Sequence, residues 1–138
     1  MKTLYTIAAM LIISMTSYAQ NILTDNLNWN ATKATDKLNS GEIVYNCTLR
    51  TNAGQSIDWI QNNGSDVYHY TITQTTGTWS SIASDGQVTF QITASGGLTG
   101  TYIFSRSAGT ITVRLTTSTN GQTDLDLLFS ISDVQPAQ

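Results

Sequence analysis

The chain has 138 residues, six basic and nine acidic, a net charge of −3, and only 11% charged side chains. A charge so weak and negative, with no cluster of Lys or Arg, argues against nucleic acid or an anionic membrane surface as partner. One Cys and one His exclude an intramolecular disulfide and an ordinary zinc ligand set.

Residues 1–19 come first in chain order and are expected to be a cleavable secretory signal peptide. Lys2 supplies the positive start, Leu4 to Ile13 the apolar run, and Ser17 and Ala19 the small residues before the cut. The run is far shorter than the roughly 20 residues that cross a bilayer as a helix. No polar stripe breaks it at helical spacing, which argues against an amphipathic helix of the mature fold. Cleavage after Ala19 leaves residues 20–138, and since Lys2 is the one charge removed, five basic and nine acidic residues remain, a net of −4. No Cys follows the cut to take a lipid anchor, and a lone Cys47 suits a bacterial exported domain, periplasmic or secreted. Three Asn-x-Ser/Thr triplets start at Asn30, Asn46 and Asn63; in a chain this rich in Asn, Ser and Thr they are read as chance.

Beyond the signal the chain reads as strands to its end. A weak alternation covers Leu27 to Ala31, and the next stretch, Ala31 to Leu38, is the one place where two helical turns are conceivable, against the propensity of its Thr residues. Ile43, Tyr45, Cys47 and Leu49 then share one face, and Val44, Asn46, Thr48 and Arg50 the other. Tyr68 to Ile72 alternates weakly. Val88, Phe90, Ile92 and Ala94 interleave with Thr89, Gln91 and Thr93. Thr101 to Ser105 is strand-like with apolar residues on both faces; Ile111, Val113 and Leu115, then Leu125, Leu127, Phe129 and Ile131, complete the series. Turn residues separate these runs at Asn39-Ser40-Gly41, Asn62-Asn63-Gly64, Asp85-Gly86, Ser95-Gly96-Gly97, Ser107-Ala108-Gly109 and Asn120-Gly121. The one proline, Pro136, is placed beyond the last strand.

Strands of about eight to ten residues joined by short turns predict sequential antiparallel pairing. The expected fold is all-β, a single up-and-down meander of about seven to nine strands, barrel-like, with a two-sheet β-sandwich as the alternative. Gly77-Thr78-Trp79 and the later Leu98-Thr99-Gly100-Thr101-Tyr102 resemble the opening hairpin of the avidin family, and Gly-x-Trp alone resembles the lipocalin-like barrels. The resemblance implies a meander barrel. In those families the motif opens the barrel, whereas here it falls in mid-chain, so no ligand and no binding residue is carried over.

Thr, Ser, Asn and Gln make up 51 of the residues from 20 to 138, and 20 of these are Thr. The polar strand faces are therefore uncharged: an ordinary solvated surface, or a hydrogen-bonding surface for sugars or another protein. Alternation alone also fits a small outer-membrane β-barrel with the apolar residues towards lipid. The missing terminal aromatic, the missing aromatic girdles and the uncharged would-be lumen argue against it.

Little points to catalysis. His69, on a face with Val67 and Thr71, is expected to be a hydrogen-bonded strand histidine, and Cys47 a buried hydrophobe. Glu42, Asp58 and Asp66 stand singly, so no catalytic residue is named and the chain leans towards a non-enzyme without a cofactor. Asp124 and Asp126 are a weak calcium candidate, two carboxylates on one strand face beside a turn; the alternative is solvated charges. Aromatic residues offer the remaining handle. Trp59, Tyr68, Tyr70 and Trp79 are the candidate ligand-binding residues, each with packing in the core as the competing role. The expected function is an exported, non-enzymatic β-domain that binds a small apolar ligand or a glycan. The alternative is a structural or protein-interaction protein of the cell surface or periplasm.

Overall fold

Alternation decides which side of each strand leaves water, and here it turns the apolar sets that hold Phe90, Leu115 and Phe129 inward. A computed structural model describes residues 20–137, apart from the side chains of Val44 and Tyr45. The expected signal peptide, residues 1–19, and the expected place of Tyr45 thus lie outside the described residues. Eight strands follow in chain order: β1 (Asn26–Asp36), β2 (Gly41–Asn52), β3 (Ser56–Gln61), β4 (Asp66–Thr76), β5 (Gly86–Ala94), β6 (Leu98–Ser107), β7 (Thr110–Thr119) and β8 (Gln122–Pro136). Each pairs antiparallel with the next, and β8 returns to pair with β1, closing the barrel. It is an eight-stranded up-and-down meander and not a two-sheet sandwich.

Eight strands enclose a space just wide enough for side chains to fill. Val88 and Phe90 of β5, Tyr102 and Phe104 of β6, Val113 and Leu115 of β7, and Phe129 of β8 are all fully buried inside. Their neighbours Thr89, Gln91, Thr112 and Arg114 lie on the outer wall. An aromatic chain runs through the interior: Trp29 lies 4.9 Å from Phe104 between ring centroids, Phe104 lies 5.9 Å from Tyr102, and Tyr102 lies 5.5 Å from Tyr70. Such tilted and edge-on pairs add to the burial of each ring. Within this core Trp29 Nε1 donates to Thr51 Oγ1 at 3.0 Å.

One pole carries both described chain ends. There Ile22, in a turn held by Asp25 N–H donating to the Asn21 carbonyl, is fully buried under the barrel mouth. The loop 77–85 covers the rest. Arg106 Nη1 donates to the Ile82 carbonyl at 2.7 Å, and Ile82 N–H to the Gln20 carbonyl at 3.0 Å, tying loop, strand and N-terminal turn together. The opposite pole holds the turns β1–β2, β3–β4, β5–β6 and β7–β8. There the Asn120-Gly121 turn takes positive φ at both residues, 51° and 78°, the conformation that joins two strands with matching twist.

Four expectations change. Ala31 to Asp36 belongs to β1 and is not helical, because β-pairing on both sides outweighs weak local propensity. β3 is an additional strand between the two turns around it. Pro136 is the last residue of β8, where its missing N–H costs no internal ladder bond. Trp79 and Leu98–Tyr102, the two pieces that resemble one hairpin, sit on either side of β5, with Trp79 in the loop before it.

Candidate functional site

A short strand makes the site. β3 has 6 residues between neighbours of 12 and 11, and it pairs with β2 only from Thr48 to Asn52. Beyond Thr48 the wall has a notch, and the 3₁₀ turn Asn62–Gly64 packs against β2 across it. On the other side of β2, the register of β1 slips at Thr32 and that of β8 at Ser132. Such bulges bend a strand and re-aim its side chains. Notch and bulges together leave a groove of about 470 Å³ on the outer wall.

The groove presents amide groups above a surface that is mostly apolar. Asn28 and Asn30 of β1, Asn46, Thr48 and Arg50 of β2, and Asn63 of the turn line it, over an apolar floor to which Ile60, Ala31 and Cys47 contribute. Parts of it are fixed by internal hydrogen bonds. Thr48 Oγ1 donates to Asn30 Oδ1 at 2.8 Å, Asn30 Nδ2 to Asp133 Oδ2 at 3.3 Å, and Arg50 Nε to Asn28 Oδ1 at 2.9 Å. Ser132 Oγ, on its bulge, donates to the Asn30 carbonyl at 3.1 Å. Asn46 and Asn63 make no side-chain hydrogen bond among the described residues and stand exposed.

Of the four aromatic residues singled out in the sequence, three are core. Trp59, Tyr70 and Trp79 are 7%, 4% and 3% exposed, and Tyr68 is 52% exposed. Trp59 packs between Tyr68 and Phe129, with centroids 5.6 Å away on each side, and its Nε1 meets no acceptor among the described residues. Trp79 Nε1 donates to the Ser84 carbonyl at 2.8 Å, which pins the ring over the barrel mouth. Burial pushes the Tyr70 hydroxyl up to about 12, against a smaller opposing effect of its hydrogen bond with Tyr102. Tyr68 lies near the far pole, where Leu38 and Ile43 are also exposed. None of the four lines the groove.

The possible reactive groups are dispersed. His69 Nδ1 lies 2.5 Å from Asp58 Oδ1, so the histidine is hydrogen-bonded on its strand as its position implies. Glu42 pairs with Lys33 at 3.6 Å, and Asp66 accepts from Asn62, so the three single carboxylates meet three different partners. Cys47 is buried. Asp126 receives two bonds from Arg114, at 2.9 and 2.8 Å, and this guanidinium holds its carboxyl below the usual carboxylate range. Asp124 accepts instead from Thr119 Oγ1 at 2.6 Å. The two carboxylates of the calcium candidate are thus engaged separately, and no group of three His, Cys, Asp or Glu converges among the described residues.

Sequence reasoning placed Asn46, Thr48 and Arg50 on one face and marked Asn30, Asn46 and Asn63 as triplet starts. It did not bring them together, because the notch that does so arises from unequal strand lengths. Set against protein-family models, curated proteins and solved structures, the chain matches none of them.

Proposed function

We propose that this chain is an exported, non-enzymatic binding domain that takes a glycan on the outer wall of its barrel. The observation that carries this reading is the amide-lined groove between β1, β2 and the turn Asn62–Gly64. Its size falls within the range of small-ligand sites, roughly 300–1,000 Å³, and its Asn and Thr groups both donate and accept, as sugar hydroxyls require. The interior supports no comparable apolar site, since Trp29, Phe90, Phe104 and Phe129 fill it. An outer wall of Thr, Ser, Asn and Gln supports a barrel standing in water, because a lipid-facing one needs an apolar band.

A glycan array probed with the folded domain tests the reading. Hits should be lost in Asn46→Ala and Asn63→Ala but persist in Tyr68→Ala. Trp emission should stay unchanged on binding, because all three Trp are buried away from the groove. An array without hits sinks the proposal, and hits that survive both Asn changes move the site elsewhere.

A second reading, a protein-interaction role, has one observation behind it. Residues 42–47 of β2 have no partner on the β3 side, and an unpaired edge is a template for an added strand. Slowed hydrogen exchange of those amides upon adding a protein partner, with an empty glycan array, favours it.

A further inference from the structure

Arginines on this barrel come with carboxylates, except in the groove. Arg114 is paired with Asp126 at 2.8 Å and Arg106 with Asp85 at 3.8 Å. Arg50 has no carboxylate within 4.0 Å among the described residues, although its register partner across the sheet is Asp58. Asp58 is turned away: one oxygen faces His69 Nδ1 at 2.5 Å, and the other accepts from Asn52 Nδ2 at 3.3 Å. The Arg50 guanidinium is nonetheless oriented, because its Nε donates to Asn28 Oδ1 at 2.9 Å. That bond fixes the plane and leaves both Nη groups without a hydrogen-bond partner among the described residues.

Asp133, which accepts from the groove residue Asn30, stands outside the lining. No Asp or Glu lines the groove, whose polar groups apart from Arg50 are neutral amides and hydroxyls. A fixed, unpaired fork of N–H donors in a neutral groove is complementary to a planar carboxylate, which it can bind through two parallel hydrogen bonds. Resting on the glycan reading above, we propose that the groove selects acidic saccharides, the sugar carboxylate pairing with the Nη edge of Arg50 while Asn46 and Asn63 take ring hydroxyls.

Calorimetric titration of an oligogalacturonide, an oligoalginate and a sialyl-oligosaccharide, each beside its methyl ester, separates the two claims. Each pair shares its sugar rings and hydroxyls and differs at the carboxyl group, a charged two-oxygen acceptor in the acid and a neutral methylated group in the ester. At least one free acid should bind about tenfold or more tightly than its ester, and added salt should erode that advantage. Arg50→Gln should abolish the difference, and Arg50→Lys should restore part of it through charge without the fork. Lys37→Gln, which removes a charge outside the groove, should leave it intact. Acid and ester binding equally would overturn the acidic selection and leave glycan binding standing. Binding of no acid and no ester would overturn both.

Discussion

Single side chains test which face of the sheet is buried. Phe90 is fully buried against Phe104, with ring centroids 5.8 Å apart, and Thr89 beside it points outward. Phe90→Ala should cost about 3–5 kcal/mol in urea-induced unfolding, as large-to-small core changes do. Thr89→Ala should cost well under about 1 kcal/mol, as surface substitutions do, and equal losses at the two positions would mean that the faces are assigned the wrong way round. Tyr70 gives a second test with a defined sign. Its hydroxyl is held up to about 12 in the folded chain, against 10.0 when unperturbed. A raised value stabilises the fold fully below the unfolded value and is lost as pH rises through the folded one. Stability should therefore fall between about pH 10 and pH 12, and Tyr70→Phe should flatten that part of the profile. A profile unchanged by the substitution would show that burial is not what retains the proton.

Among the elements, the loop 77–85 depends on one small residue at its end. A Cβ at Gly86 would lie 2.3 Å from Trp79 Cδ1, so the indole sits where any larger residue would push. Gly86→Ala should lower stability by about 1–3 kcal/mol through overpacking and disturb the Trp signal in the near-UV circular dichroism. An unaltered spectrum would mean that the loop yields without strain. The strands differ in how plainly the sequence announces them. β5, β7 and most of β8 are legible because unbroken alternation runs between Gly-containing turns. β1 is not, because the bulge at Thr32 shifts its phase. Leu27, Trp29 and Ala31 face inward at spacing two, and then Ala34 follows at spacing three, which mimics a helix. β3 is obscured by its six-residue length and by Ile60, an apolar residue on the outer side next to inward Trp59. The groove residues are visible as a polar face. The concavity is not, since it follows from where β3 stops relative to β2, and no residue pattern encodes that difference in length.

For the whole molecule, closure has a kinetic side. Seven of the eight strand pairings join neighbours in sequence, while the eighth brings Leu27 against Pro136. Local hairpins can form early, but the barrel is complete only when chain segments 91 (Asp36 to Leu127) to 109 (Leu27 to Pro136) residues apart meet, a step with a large loop-closure cost. That same seam offers an engineering route. Ala137 N–H donates to the Asn26 carbonyl at 2.8 Å, so the two described ends leave the barrel side by side at one pole. The order in which the strands are synthesised is therefore separable from the order in which they pair. A circular permutant with a short linker from residue 137 to residue 20, opened between Asn120 and Gly121, should refold to the same far-UV and near-UV spectra. Such a chain makes the β1–β8 pairing local and leaves β7–β8 as the distant seam. It should fold at a different rate while keeping the groove with every residue that lines it.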